Sequence, residues 1–231
     1  MNIKQSKKII ISLSKPAKMP GYAYGLPAWE CKTGAKLVKV PGSVCAGCYA
    51  LKGNYARYPE IKKSQYKRLA SISKPEWVEA MAVVINSKAV AQHGYFRWHD
   101  AGDIQSPEHL QKIFEVCRLT PDTKHWIPTR EAQFLKDVNP EEVPENLIIR
   151  MSSHMIDQGP VSFWPWTSTV VNEKNKSTCP APYTDKKGKV HTATQMKAYT
   201  PAQKKELDFG HCGNCRSCWD RNTPNVEYGK H

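Results

Sequence analysis

The chain has 231 residues, of which 34 are Lys or Arg and 21 are Asp or Glu, so its formal net charge is +13. A hydrophobic fraction of 40% is enough for a folded core and excludes wholesale disorder. No apolar run approaches the roughly 18 residues of a membrane helix, and the N-terminus has no signal-peptide pattern. We therefore expect a cytoplasmic protein without a membrane partner, whose eight cysteines are metal ligands rather than disulfides.

The first third of the chain contains two strand patterns and two helix patterns. Two β-prone runs, Lys8–Leu13 and Lys36–Val40, predict short strands. A helix is expected over about Pro59–Ile72, and a second one begins near Pro75. The Gly- and Pro-rich sequence before residue 58 is interpreted as loop.

From Gly94 onward, strand patterns alternate with helix patterns. Strands are predicted at residues 95–99, 124–128, 147–151 and 168–171, with a helix opened by Ser106 and Pro107. This alternation is typical of a parallel sheet. The predicted fold is α/β: a partial TIM-type (βα) barrel with an N-terminal cysteine loop over residues 1–171, and a small metal-binding lobe over 172–231. In that lobe Thr200 and Pro201 predict one helix.

Four cysteines belong to the C-terminal lobe. Cys212, Cys215 and Cys218 form C-x2-C-x2-C, and Cys179 is followed directly by a proline. Bacterial ferredoxins hold iron–sulfur clusters with this spacing and with a Cys-Pro ligand. The same four thiolates could also hold one tetrahedral zinc. The pattern favours an iron–sulfur cluster, with zinc as the alternative.

Three further cysteines, Cys31, Cys45 and Cys48, lie in the predicted N-terminal loop. Three thiolates can hold three irons of a [4Fe–4S] cluster and leave the fourth iron open, as a catalytic metal site requires. The alternatives are a thioredoxin-type C-x-x-C motif and a zinc site that pools Cys45 and Cys48 with C-terminal cysteines.

The eighth cysteine has a different environment. Leu110, Ile113, Phe114 and Cys117 are spaced as the apolar stripe of one helix, so Cys117 is predicted to be a core thiol. The remaining seven cysteines divide into three plus four.

Polar side chains follow the predicted strands, where βα folds place their functional residues. Asp100 and Asp103 are candidates to bind a ribose hydroxyl, and Arg130 and Arg150 to bind a carboxylate or phosphate. The alternatives are a loop turn for Asp103 and a surface ion pair for Arg150. The net charge makes a nucleic acid or nucleotide a candidate partner.

Residues 44–50, 97–103 and 212–219 together resemble a phage family called gene product 88, over roughly residues 20–222. The Cys-x-x-Cys-Tyr-Ala piece is also similar to the cluster loop of radical S-adenosylmethionine (SAM) enzymes. That resemblance implies a partial TIM-type barrel with a SAM-binding [4Fe–4S] cluster, and a C-terminal lobe with an auxiliary cluster. Thirteen residues separate Cys31 from Cys45, where radical SAM enzymes typically have three. Either a loop expands this spacing, or Cys31 is not the third ligand.

The resemblance implies an iron–sulfur enzyme of radical SAM type, acting in the host cytoplasm if it is encoded by a phage. The alternative is a non-catalytic iron–sulfur or zinc protein that binds nucleic acid or a host factor during infection.

Overall fold

The computed structural model describes residues 1–173 and 176–230 and contains a six-stranded parallel sheet. The strands lie side by side in chain order, and each neighbouring pair is parallel. They are β1 (Tyr22–Tyr24), β2 (Tyr95–Trp98), β3 (Lys124–Thr129), β4 (Leu147–Ser152), β5 (Thr167–Val171) and β6 (Asn225–Gly229). Within the described residues β1 and β6 form the two edges, so the sheet is open.

Nine α-helices occur in the described part of the chain, and most are short. They are α1 (Ile3–Ile10), α2 (Lys32–Leu37), α3 (Gly53–Arg57), α4 (Pro59–Ser71), α5 (Trp77–Ile85), α6 (Lys88–Ala91), α7 (Pro107–Arg118), α8 (Ala193–Ala198) and α9 (Pro201–Leu207). In the described structure, none of them is long and apolar enough to span a membrane.

The main core lies between one face of the sheet and the helices α1, α5 and α7. Phe96 and Trp98 of β2 are fully buried there, and the Trp98 ring lies 6.1 Å from that of Trp77 on α5. Cys117 of α7 is also fully buried in this core, which confirms its predicted role.

The opposite face of the sheet carries polar and aromatic side chains. Arg97 of β2 pairs in register with Trp126 of β3, and its guanidinium lies 4.7 Å from the centre of the Trp126 ring. The 3-10 turn Ser217–Trp219 packs on this face against β3 and β4, with the Trp219 ring 5.2 Å from that of Trp126. The last part of the chain therefore covers the face that the helices leave open.

Both N-terminal strand predictions are wrong, because hydrogen bonds to the first N–H groups of α1 and α2 favour helices there. The first half of Lys8–Leu13 lies in α1, where Asn2 and Gln5 form a capping box, and its second half is neither helix nor strand. Lys36–Val40 overlaps the end of α2, whose second residue, Thr33, donates its backbone N–H to the Glu131 carboxylate. A carboxylate at this end satisfies an otherwise unpaired helix donor.

The later predictions agree better with the structure. The helices at α4, α7 and α9 are confirmed, with Ser106 accepting a hydrogen bond from the His109 N–H and Thr200 forming a capping box. The four predicted strands correspond to β2–β5. The sequence patterns missed β1 and β6. Strand β6 lies inside the segment that was predicted to be a separate lobe, yet it pairs with β5 in the sheet.

Candidate metal centres

The N-terminal cysteine loop, defined here as residues 25–51, lies along the carboxyl ends of β2, β3 and β4. After β2, the Leu26 N–H donates to the Ala101 carbonyl at 2.7 Å, and the Tyr49 hydroxyl donates to the Asp100 carbonyl. After β4, the Val44 N–H donates to the His154 carbonyl at 2.9 Å. Ligand sites of parallel α/β folds form at this edge of the sheet.

A buried carboxylate fastens the loop to the third strand end. Glu131, which follows β3 and is fully buried, accepts hydrogen bonds from the Thr33 backbone N–H at 2.9 Å and from the Thr33 hydroxyl at 2.7 Å. These contacts position α2, and with it Cys31, which directly precedes the helix. No sequence pattern singles out Glu131, although it directly follows the candidate residue Arg130.

The three thiols of this loop lie near one another. Burial raises the pKa of Cys31, and the neighbouring Asp103, Glu131, Cys48 and Cys45 raise it further. Burial also raises the pKa of Cys45, while the Arg130 guanidinium opposes that shift. The thiols of Cys31, Cys45 and Cys48 therefore lie near enough to influence one another, with the Arg130 guanidinium nearby.

Gly34 packs closely against Cys31 and lies beside two of these sulfur atoms. A Cβ atom at Gly34 would lie 3.7 Å from Cys31 Sγ, 3.8 Å from Cys45 Sγ and only 2.9 Å from Cys31 Cβ. Any side chain at this position would push against Cys31 and fill the space between the two thiols. Glycine in a helix costs stability, so its presence here fits a close approach to the site.

The C-terminal cysteine segment, defined here as residues 176–223, is anchored to the sheet at several of its cysteines. The Cys179 N–H donates to the Glu227 carbonyl of β6 at 2.9 Å, and the Cys218 thiol lies 3.1 Å from the Tyr228 hydroxyl. The Cys212 N–H donates to the Lys18 carbonyl at 2.8 Å. This segment lies on the sheet face that also carries Arg97.

Arg150 holds the last turn of the segment in place. Its side chain is fully buried, and its three nitrogens donate to five backbone carbonyls at 2.6–3.2 Å. The acceptors are the carbonyls of Thr167, Ser217, Cys218, Asp220 and Thr223. All five guanidinium N–H groups are thereby used, so Arg150 positions the cysteine turn rather than facing a ligand.

The four thiols of this segment form a second neighbourhood. Burial raises the pKa of Cys179, of Cys212 and of Cys218 to about 11 each, and other cysteines of the same segment add to each shift. Arg97 opposes the shift at Cys212 and Cys218. The pKa influences among these cysteines come from within the same segment, and the division of the seven cysteines into three plus four ligands stays a prediction.

Neither group is arranged around a single ion. Within residues 1–173 and 176–230, no three His, Cys, Asp or Glu side chains come together at the spacing that one metal ion requires. A tetrahedral zinc with Zn–S bonds of about 2.3 Å holds its sulfur atoms roughly 3.8 Å apart. The thiols are near enough to influence one another but do not form such a tetrahedron.

The predicted cofactor residues have different surroundings. Asp103 is buried and accepts hydrogen bonds from the Thr129 hydroxyl at 2.6 Å and from the Arg130 N–H at 3.0 Å. Burial raises its pKa to about 6. Buried Asp100 accepts from the Tyr55 hydroxyl through Oδ2, whereas its Oδ1 has no partner among the described residues. The Arg130 Nε also lacks a partner within that part of the chain.

Other residues of interest lie away from the thiols. His99 follows β2 with a φ of +57° and is buried against α7, where its ring lies 5.4 Å from that of His109. Trp164 and Trp166 are buried and donate to backbone carbonyls, whereas Phe163 is exposed. Sequence spacing does not point to Arg97 and Tyr228, because it does not show which face of the sheet the second cysteine group covers.

The fold and these two cysteine groups define an α/β protein with a parallel sheet and two separate clusters of free thiols. The chain belongs to the gene product 88 family, whose model matches residues 1–221. No curated protein and no solved structure matches the chain.

Proposed function

We propose that this chain is an iron–sulfur protein of radical SAM type. Cys31, Cys45 and Cys48 hold a [4Fe–4S] cluster with one open iron, and SAM binds there. Cys179, Cys212, Cys215 and Cys218 hold a second, fully ligated cluster. The observation that carries the proposal is the position of the three-thiol group, at the carboxyl ends of parallel strands.

The donor sets suit clusters better than single ions. In a cubane cluster each thiolate binds a different iron atom, so the sulfur atoms lie farther apart than around one zinc. Groups of three and four neighbouring thiols match the numbers of ligands that an open and a fully ligated cubane cluster take. The close approach of Gly34 to Cys31 and Cys45, where any side chain would press on Cys31, supports the same interpretation.

The strand order supports a partial TIM-type barrel as the scaffold. Six parallel strands in chain order are the topology of an open (βα) barrel. In this proposal the segment over residues 172–231 supplies the second cluster while contributing β6 to the sheet.

A reduced [4Fe–4S] cluster held by Cys31, Cys45 and Cys48 would supply the one-electron reduction that opens a carbon–sulfur bond of SAM. The chain's own residues orient the cofactor. The unpartnered Asp100 Oδ1 offers an acceptor for a ribose hydroxyl, and Arg130, beside Cys45, offers a cation for the SAM carboxylate. Asp103 and Arg150 position the loops instead, because protein groups occupy their polar atoms.

Incubation of the anaerobically purified, reduced protein with SAM tests this proposal. We expect 5′-deoxyadenosine from the unaltered protein and from Cys117→Ala, a matched cysteine change in the core, but none from Cys48→Ala. A protein that contains iron but neither changes its spectrum with SAM nor yields this product would contradict the enzyme. That outcome would favour a non-catalytic cluster protein that binds nucleic acid or a host factor.

A further inference from the structure

A basic depression in the surface adjoins the three-thiol site. It is lined by Trp29, Glu30 and Cys31, together with Lys32, Lys36 and Lys39. The three lysines are exposed on and just after α2. The wall of this depression is therefore shared with the first cysteine of the N-terminal site.

Positive charges predominate around the depression. Lys62 of α4 adds a fourth ammonium group, with its Nζ 4.4 Å from the centre of the Trp29 ring. The single carboxylate, Glu30, accepts a hydrogen bond from the Tyr66 hydroxyl at 2.9 Å. Four cations against one carboxylate favour an anionic ligand, and the net charge of +13 extends that preference to the whole chain.

The spread of the cations favours an extended polyanion over a small anion. Lys32 and Lys36 lie one helical turn apart, about 6 Å along the axis, and Lys39 lies beyond the end of α2. Trp29 is half-buried and offers an aromatic surface among these cations. Proteins that bind single-stranded nucleic acid combine a basic track along the phosphates with aromatic rings on which unpaired bases stack.

We propose that this surface binds single-stranded nucleic acid, with Lys32, Lys36 and Lys39 on the phosphates and Trp29 stacked on a base. The inference rests on the proposed function only in naming nucleic acid as the substrate class of the cysteine site. The strand would lie directly beside Cys31, so a nucleotide would be the group presented to the site.

Fluorescence anisotropy with a labelled 20-nucleotide single strand, without SAM and over a range of salt concentrations, tests the proposal. For Lys32→Gln/Lys36→Gln we expect weaker binding and a slope of log K against log salt reduced by about 1.4, because two phosphate contacts are lost. Lys204→Gln/Lys205→Gln on α9 removes the same charge elsewhere and should leave the slope unchanged. Trp29→Ala should weaken binding roughly five- to hundredfold without changing the slope.

Equal effects of the two double substitutions, or unchanged affinity in Trp29→Ala, would overturn the proposal. A preference for a duplex of the same length would also do so, because a paired base cannot stack on Trp29. Repeating the binding assay with Cys48→Ala separates nucleic-acid binding from SAM cleavage, because this variant should lack the N-terminal cluster. Retained binding by that variant without 5′-deoxyadenosine formation by the unaltered protein would refute the enzyme and keep the nucleic-acid surface.

Discussion

The two cysteine regions differ in how the sheet holds them and in the charges that surround them. The N-terminal loop lies across the ends of three strands, and its thiols face the carboxylates of Asp103 and Glu131 with Arg130 as the nearby cation. The C-terminal segment lies against a sheet face, and its thiols face Arg97 and Arg150. The N-terminal thiols therefore lie at the edge of the sheet where the strands end. The C-terminal turn Ser217–Trp219 is instead packed against the sheet and held by Arg150.

Because of this difference, substitutions in the C-terminal region should lower the stability of the whole fold. Substitutions in the N-terminal loop should mainly lower the metal content of its own site. Cations also favour a more negative cluster, so the charge pattern suits a structural or electron-relay centre on the C-terminal side. The following predictions test how far this division holds.

The largest effect is expected from Arg150→Met. This change leaves five buried or partly buried carbonyls without their donor, so it should lower the free energy of unfolding by about 4 kcal/mol. Urea unfolding measures the loss, and metal analysis should show depletion of the C-terminal site. Arg57→Met, which alters an exposed arginine, is the control and should change stability by less than about 0.5 kcal/mol.

Gly34→Ala should empty the N-terminal site while leaving the fold stable. The new Cβ would lie 2.9 Å from Cys31 Cβ and close to the sulfur atoms of Cys31 and Cys45, so Cys31 must shift from its present position. Iron analysis should show loss from this site alone, and thermal unfolding of the metal-free protein should change little. Gly47→Ala, in the same loop between Cys45 and Cys48, is the matched control, since its Cβ would meet no described atom within 4 Å. Equal iron loss in both variants would contradict this account of the loop.

Asp103, a buried carboxyl group near Cys31, should make the free energy of unfolding depend on pH. Its folded-state pKa of about 6 lies above the usual value of about 3.9 for an unfolded chain, so protonation stabilises the fold. This stabilisation is complete below about pH 4 and is lost as pH rises through about 6. Over that window the free energy of unfolding should fall by about 3 kcal/mol more in the unaltered protein than in Asp103→Asn. Parallel pH profiles for the two proteins would show that Asp103 is not the titrating group.

The smallest effect belongs to Cys117→Ala. This thiol is fully buried in the main core, away from both cysteine groups. Loss of one buried sulfur atom should cost about 1 kcal/mol in urea unfolding and leave the iron content unchanged. Loss of iron in this variant would show that the division into three plus four is wrong.

Sequence patterns predicted the elements whose signals are local. The helix that begins after Ser106 carries its own cap and its own apolar stripe, and it forms as expected. The grouping of Cys212, Cys215 and Cys218 was evident from spacing alone. In contrast, β1 has three residues and β6 has five, and each is held by a parallel neighbour distant in the chain. Such strands lack a local signal that a sequence pattern can reveal.

The same limit applies to the site. The roles of Arg150 and Glu131 depend on which carbonyls and N–H groups the fold brings to them, and spacing does not encode these contacts. Arg150 was predicted as a surface ion pair or a cofactor ligand, but it is buried and bonded to the main chain. Spacing predicted which thiols act together, whereas only the fold distinguishes a positioning residue from one that faces a ligand.

Iron, sulfide and zinc analysis of three anaerobically purified proteins tests most directly whether the two groups are separate clusters. We predict about eight irons for the unaltered chain and about four for each of Cys48→Ser and Cys215→Ser, since each change should empty one cubane cluster. Thermal stability should fall more in Cys215→Ser, because its cluster is integrated into the fold. Zinc without iron, or loss of all iron from either single substitution, would contradict two independent iron–sulfur centres.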